Sequence, residues 1–231
     1  MPRQPRSPSA LTGHKTAEPR DTILVLLDIV EYTPQARAAG GQATREFDTY
    51  FASALQKRAR RHGFRFIKPI GDAALLWGET PRDLVGLMRD LFKDDPIRPH
   101  ADFTPRLRML AHQAYFTFTK DTRGRVVDVH GLEGIVLYRL EKTAHLNRVI
   151  VTPHLFGGLR HLPDTAGIGF QAIDLPYALK GVGADSPRQV YLLRPPLAEE
   201  TQDFELPQLY RDARDALNDD VQFITNVRSA L

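Results

Sequence analysis

The chain has 231 residues, of which 42% are apolar and 26% are charged, and it contains no cysteine. These proportions are ordinary for a globular protein, and a single core can bury about 70% of the unfolded surface at this length. The absence of cysteine excludes thiolate zinc sites, iron–sulfur clusters and cysteine nucleophiles.

The net charge is unevenly distributed along the chain. Its formal value is +3, but residues Leu197 to Leu231 carry eight acidic and three basic side chains, which leaves the remainder at +8. A basic body suits polyanions in general, including nucleoside triphosphates. Nucleic-acid binding is an alternative that would require strongly salt-dependent affinity, and we do not expect a nucleic-acid partner.

The first 20 residues are rich in proline, arginine and serine and offer few large apolar side chains. Such a segment cannot offset the entropy of ordering, so residues 1–20 are predicted to be a disordered tail. They hold no continuous apolar region of the kind a secretory signal needs. The apolar run Ile23 to Leu27 is far shorter than the roughly 20 residues of a membrane span. We expect no membrane contact and a cytoplasmic location.

The first regular elements are a strand and a helix. The run from Ile23 to Leu27 is continuous rather than alternating, which predicts a central strand covered on both faces and ending near Asp28. Apolar residues recur with helical spacing between Pro34 and His62, and Gly63 follows in the usual C-terminal position. The basic residues from Lys57 to Arg61 are then either a solvated helix end or a patch for a polyanion.

The remaining elements complete an α+β pattern. The segment from Phe64 to Trp77 predicts two strands joined by a tight turn. The other predicted elements are a helix after Pro81, strands over Arg106 to Thr119, Val126 to His130 and Arg148 to Thr152, and a helix over Glu133 to Ala144. Residues 21–196 thus form one domain with helices covering a largely antiparallel sheet. Residues 197–231 are predicted to form an acidic amphipathic helix that packs on this domain or on a partner.

Two carboxylates lie where predicted strands end. Asp28 follows the first strand directly, and Asp72 lies in the turn of the next hairpin. An ionised carboxylate beside a core is costly unless it is paired or bound to a metal. Two of them at neighbouring strand ends would suit Mg²⁺ with phosphates, although aspartate is also common in turns for hydrogen-bonding reasons.

Four segments resemble the motifs of the class III nucleotidyl cyclase catalytic domains. In chain order they are LDIVEYT, FIKPIGDAALLWG, DVHGLEGIVLYRLEKTA and YALKGVGADSPRQVYLL, between about Thr22 and Leu193. The resemblance implies a ferredoxin-like α+β fold with a mostly antiparallel sheet. It also implies conversion of a nucleoside triphosphate to its 3′,5′-cyclic monophosphate and pyrophosphate, with ATP, GTP and pyrimidine triphosphates all open as substrates.

The same resemblance implies a set of metal ligands and an assembly. Asp28 and Asp72 would hold two Mg²⁺ or Mn²⁺ ions, with help from the backbone carbonyl of Ile29. Such ions activate the ribose 3′-hydroxyl and neutralise the triphosphate. The family builds each active site between two subunits, so a homodimer with composite active sites is implied.

Further residues match positions that contact the nucleotide in the family. Lys68 and Asp128 fall where adenylyl cyclases recognise the purine edge. Arg139 falls where an arginine stabilises the transition-state phosphate, and Lys180 lies near the position of a phosphate-binding lysine. Simpler roles remain open: Lys68 as an exposed strand-end lysine, and Arg139 as the partner of an acidic residue on its own helix, Glu133 or Glu141.

Two departures from the family pattern affect the predicted activity. Ile135 replaces the asparagine that orients the ribose, and the usual H-x-G of the middle strand becomes His112-Gln113-Ala114. Losing one such polar contact costs on the order of 10²–10³ in rate at comparable sites. A cyclase-fold module that binds nucleotide without turnover is therefore the alternative function. His112 itself, between apolar neighbours, is interpreted as a histidine of the core or sheet rather than a metal ligand.

Overall fold

A computed structural model describes residues 15–70, 72–141, 148–175, 178–182 and 186–195. These residues form an α+β fold in which helices pack on one mixed, mostly antiparallel sheet. The strands are β1 (Lys15–Thr16), β2 (Arg20–Ile29), β3 (Arg65–Ile70), β4 (Ala73–Gly78), β5 (Leu107–Lys120), β6 (Val126–His130), β7 (Val149–Val151), β8 (Gly169–Asp174) and β9 (Gln189–Arg194). The helices are α1 (Tyr32–Arg61), α2 (Pro81–Arg89), α3 (Leu132–Leu140) and α4 (Pro153–Leu159).

The sheet is built around β2. Its main path runs β3-β4-β2-β5-β7-β9-β8, and every pairing along it is antiparallel except that of β5 with β7. The strands β1 and β6 both pair with the second half of β5. Residues 22–29 of β2 are buried throughout, as its continuous apolar run predicts for a central strand covered on both faces.

Each face of the sheet has its own apolar core. One core packs the sheet against α1, α2 and α4, and includes Phe47, Leu84 and Leu155. The other packs the opposite face against α3 and the segment before β9, and includes Val136 and Leu179. Because side chains alternate along a strand, residues at even positions of β2 such as Leu26 and Asp28 point toward the α3 side.

The helix α1 contains an interruption that the sequence analysis did not anticipate. Gly40 has φ of 81° and ψ of 169°, so the helix is two segments joined at this glycine, which tolerates the positive φ. The helix ends at Arg61, and Gly63 follows with φ of 71°, as predicted.

The basic residues at the end of α1 have different roles. Arg58 is buried, donates to the carbonyl of Asp95 at 2.7 Å and pairs with the carboxylate of that residue at 2.9 Å. Arg61 pairs with the buried Asp90 at 2.8 Å. The sequence predicts either a solvated helix end or a patch for a polyanion, and neither describes these two arginines. Their contacts with Asp90 and Asp95 connect α1 to the helical turn after α2.

Several predicted boundaries differ from those observed. The predicted helix Glu133 to Ala144 is observed over Leu132–Leu140, and residues 142–144 lie outside the described residues. The local pattern did not predict α4 or β8. Within the segment predicted to be a disordered tail, residues 1–20, Lys15–Thr16 form β1 against β5 and Arg20 begins β2, because these residues find hydrogen-bonding partners on strands that are distant in sequence. The predicted C-terminal helix, residues 197–231, lies outside the described residues. Within the described ranges, none of the helices combines the length and apolar character needed to cross a bilayer.

Candidate active site

Asp28 and Asp72 are brought together at one end of the sheet. In the register of β2 with β4, Asp28 lies opposite Ala73, and Asp72 directly precedes Ala73 in the turn that follows β3. Asp28 is only 2% exposed, because it lies in the buried part of β2, one residue before the strand ends. The predicted pair of carboxylates at neighbouring strand ends is therefore present as a structural feature.

The surroundings of Asp28 disfavour its ionised form. Burial is the main cause that raises the pKa of this carboxyl, and the nearby carboxylates of Asp72 and Glu141 raise it further. The guanidinium of Arg108 opposes all three by charge and by hydrogen bonding. A carboxylate in this position gains from any additional cation that reaches it.

Arg108 is a component of the site that the sequence analysis missed. It lies opposite Asp28 in the register of β2 with β5, and its Nε donates to Asp28 Oδ2. Its Nη2 donates to Glu141 Oε1 at 3.1 Å, just after α3. Arg108 thus links the end of the central strand to the end of α3. The available signal was a single arginine among the apolar residues that begin β5.

Lys68 and Asp128 form a second polar pair, on β3 and β6. The ammonium of Lys68 lies 2.7 Å from Asp128 Oδ1, and the backbone N–H of Val129 donates to the same oxygen at 2.8 Å. Burial, the largest influence, raises the pKa of Asp128, but these two hydrogen bonds together with the charges of Lys68 and His130 outweigh it, and the net shift is downward. Lys68, for which the sequence leaves open the role of an exposed strand-end lysine, is thus paired with Asp128, and both side chains remain over a third exposed.

Tyr138 lies near this pair on α3. Burial raises the pKa of its hydroxyl, Lys68 lowers it, and Asp128 raises it, so all three side chains share one electrostatic environment. The tyrosine is 36% exposed. A ligand that contacts Lys68 and Asp128 at this surface would therefore also meet an aromatic ring with a polar end.

Arg139 occupies an exposed position on α3. The two acidic residues proposed as its structural partners are engaged elsewhere: Glu133 lies 2.8 Å from His112 Nε2, and Glu141 binds Arg108. Ile135, on the same helix, is 41% exposed. Lys180 is also exposed, in the connection between β8 and β9. The structure therefore places Asp28 next to Asp72 and joins Lys68 to Asp128 as an ion pair. Arg139 and Lys180 lie on separate elements.

His112 is a histidine of the sheet, as predicted. It is 7% exposed, and its ring nitrogens lie 2.8 Å from Thr152 Oγ1 and 2.8 Å from Glu133 Oε2. Burial lowers its pKa, and the hydrogen bond to the carboxylate of Glu133 opposes this effect. These contacts connect β5 with the residue before α4 and with α3 through one side chain.

The donor set at the strand end suits a hard divalent cation. Asp28 and Asp72 offer carboxylate oxygens, and Ile29 ends β2 next to them with a backbone carbonyl. Among the described residues no three His, Asp or Glu side chains gather as a self-contained metal site. Mg²⁺ commonly takes only one or two carboxylates and completes its shell with water and substrate phosphates, so two carboxylates are a fitting number.

Comparison with known proteins identifies the fold. The sequence matches no protein-family model and no curated protein. Among solved structures, it is similar to an adenylate cyclase of Trypanosoma brucei (TM-score 0.61, 19% identity, covering 78% of this chain and 91% of that one). It is also similar to the adenylyl cyclase CyaB of P. aeruginosa (TM-score 0.59, 15% identity, 82% and 99%).

A third similar structure is the guanylate cyclase domain of RhGC from Catenaria anguillulae, solved with GTP (TM-score 0.56, 15% identity, covering 78% of this chain and 97% of that one). The similarity to adenylyl and guanylyl cyclases extends over nearly the whole of their solved chains. The four sequence motifs predicted the same fold. The chain therefore has the fold of the class III nucleotidyl cyclase catalytic domains.

Proposed function

We propose that the chain is a nucleotidyl cyclase, which converts a nucleoside triphosphate to a 3′,5′-cyclic monophosphate and pyrophosphate. The observation that carries this proposal is the placement of Asp28 and Asp72 side by side at the end of β2, within a cyclase fold. In the reaction, the ribose 3′-hydroxyl loses its proton to water and its oxygen forms a bond to the α-phosphorus. The bond from that phosphorus to the bridging oxygen of the β-phosphate breaks, and pyrophosphate leaves.

Asp28 and Asp72, with the carbonyl of Ile29, would hold two Mg²⁺ or Mn²⁺ ions. When bound, these ions supply activation of the 3′-hydroxyl and neutralisation of the triphosphate charge. Asp28 is held in place for this role by Arg108, which fixes one carboxylate oxygen and leaves the other for a further cation. Arg108 is thus a positioning residue.

The pair formed by Lys68 and Asp128 supplies a donor and an acceptor for the edge of a base. The low pKa of Asp128 keeps that carboxylate ionised and able to accept a hydrogen bond at neutral pH. Tyr138 adds an aromatic ring and a hydroxyl beside the pair. Because Tyr138 and Ile135 change the surroundings of the base, ATP, GTP and the pyrimidine triphosphates all remain candidate substrates.

Arg139 and Lys180 are proposed to bind the phosphates from the second subunit of a homodimer with composite sites. Support for this arrangement comes from the exposed face of α3. Leu132, Ile135 and Tyr138 are each between 36% and 41% exposed there, beside Arg139. Three large apolar side chains at successive turns of one helix are suited to burial against another subunit.

The test is to incubate the purified chain with Mn²⁺ or Mg²⁺ and with ATP, GTP, CTP and UTP separately, identifying products by mass spectrometry. One triphosphate should yield its cyclic monophosphate. Asp72→Asn should reduce that product to background, whereas Glu46→Gln, on the exposed side of α1, should leave it unchanged. Absence of product from all four triphosphates in both the wild type and Ile135→Asn, or undiminished product in Asp72→Asn, would refute the proposal.

A second candidate function is nucleotide binding without turnover, which the exposed apolar side chain of Ile135 favours. Ile135→Asn distinguishes the two functions. A gain approaching the roughly 10²–10³-fold contribution of one oriented polar group identifies a weakened enzyme. Continued absence of product, with nucleotide binding retained, identifies a binding module. Because residue 135 is exposed, its substitution should alter stability by no more than about 0.5 kcal/mol.

A further inference from the structure

A cleft lies at the opposite end of the sheet from Asp28. Its volume is about 980 Å³, and it opens where β1, β3, β6 and the end of α1 meet. Arg20, at the start of β2, lines it, whereas Asp28 lies eight residues further along that strand. At about 3.3 Å per residue the two ends are roughly 26 Å apart. Lys68 and Asp128 do not line this cleft either.

Positive charge dominates the lining of the cleft. Its basic members are Arg20, Arg60, Arg65, Lys120 and Arg125, and its acidic member is Glu18. Arg20 and Arg125 are paired with acidic residues outside the lining, Glu79 and Asp121.

The other three basic residues lack such compensation. Among the described parts of the chain, no carboxylate lies within 4 Å of the charged nitrogens of Arg60, Arg65 or Lys120. Three cations that line one cleft and lack a paired carboxylate favour the binding of a multivalent anion there.

The wall of the cleft is apolar and partly aromatic. Trp77 and Phe118 pack together with their ring centroids 5.4 Å apart, and Ile67 and Val127 extend this wall. The guanidinium of Arg65 lies 4.9 Å from the centre of the Trp77 ring, so its position at the cleft is fixed by a cation–π contact. Apolar side chains beside a group of cations suit a small molecule that has both an apolar part and an anionic part.

We infer that this cleft is a second binding site, for a nucleotide carrying two or more phosphates. The phosphates would bind Arg60, Arg65 and Lys120, and the base would lie against Ile67 and Val127. Phosphate oxygens match the fork geometry of arginine, and a base matches the apolar wall. The inference does not depend on the cyclase reaction, because none of the proposed catalytic residues lines the cleft.

The test uses ADP as the probe, in excess EDTA so that binding through divalent cations is removed. Isothermal titration calorimetry of the full chain gives the affinity. The fluorescence of Trp77, the single tryptophan of the chain, reports whether the ligand reaches the cleft. Three variants accompany the wild type. The cleft variant combines Arg60→Gln with Arg65→Gln, and the surface variant combines Arg37→Gln with Lys57→Gln, which removes the same charge from the exposed surface of α1. The third variant is Asp72→Asn.

ADP should bind the wild type, and the Kd obtained from the change in Trp77 fluorescence should equal the Kd obtained by calorimetry. The cleft variant should bind at least about tenfold more weakly, and the other two variants should match the wild type. Three results would each overturn the inference. The first is that ADP shows no saturable binding. The second is that the surface variant, Arg37→Gln with Lys57→Gln, weakens ADP binding as much as the cleft variant does. The third is that a single-stranded oligonucleotide binds more tightly than ADP, which would assign the cleft to nucleic acid.

Discussion

Replacing Arg108 by glutamine should destabilise the fold by leaving Asp28 without its counter-charge. Removing one partner of a buried ion pair costs about 3–5 kcal/mol, because the remaining charge is still desolvated. The side chain of Asp28 is 3% exposed, but that of Arg108 is 26% exposed, so water entering its place will lower the cost. We expect a loss of about 3 kcal/mol, equivalent to a fall in Tm of roughly 6–12 °C for a chain of this size.

The loss should depend on pH with a defined sign. Burial already raises the pKa of Asp28 above its ordinary value of 3.8, and Arg108 acts to lower it, so Arg108→Gln raises it further. A carboxyl with a raised pKa in the folded state is destabilising when ionised. Its penalty is complete above that pKa and is relieved as the pH falls through it. The difference in stability between variant and wild type should therefore be largest at neutral pH and should decrease in acid.

Urea denaturation followed by circular dichroism, from about pH 8 to about pH 5, measures this difference. Arg106→Gln is the matched control, because Arg106 pairs with Glu31 at an exposed position and should contribute no more than about 1 kcal/mol. Adding Asp28→Asn to Arg108→Gln should recover part of the loss. Equal losses for the two arginine variants, or a loss that does not decrease in acid, would refute the reasoning.

Two further substitutions test packing and buried charge on the α1 side. In Gly78→Ala the new Cβ would lie 2.7 Å from the ring of the fully buried Phe64. We expect the free energy of unfolding, measured by urea denaturation, to fall by about 1–3 kcal/mol. A change below about 0.5 kcal/mol would contradict this packing. Asp90→Asn removes a carboxylate 6% exposed that binds Arg61 at 2.8 Å and His62 at 2.9 Å. A loss of about 2 kcal/mol is expected by the same measurement, and stability equal to the wild type would show that these contacts are not net stabilising.

The end of β2 shows why the carboxylate pair could be predicted from sequence. Asp28 ends a continuous apolar run, and Asp72 lies in the turn of a short hairpin whose second strand is itself apolar. Both local patterns are unambiguous, and pairing β2 with β4 then brings the two residues together. Lys68 and Asp128 were placed by resemblance, and the structure joins them at 2.7 Å, although 60 positions separate them in the chain.

Arg108 shows why the rest of the site could not be predicted. Its contact with Asp28 depends on the register between β2 and β5, whose residues are 80 positions apart in sequence. No local pattern sets such a register, since it follows from which face of each strand is buried. The same holds for the basic residues at the end of α1. Arg58 and Arg60 are two positions apart, yet Arg58 binds Asp95 and Arg60 lines the cleft at the opposite end of the sheet from Asp28.

The charges around Asp28 give the proposed metal site a test that needs no nucleotide. Asp72 and Glu141 both repel the carboxylate of Asp28, and the guanidinium of Arg108 attracts it, so this cluster carries two negative charges in excess when all three carboxyls are ionised. One divalent cation would balance that excess. At about ten times its Kd, such a cation adds about 1.4 kcal/mol of stability, or roughly 3–6 °C in Tm. Mn²⁺ should therefore raise the Tm of the wild type but not that of Asp72→Asn. An equal rise in both would place the ion elsewhere and remove the physical basis for assigning catalysis to this strand end.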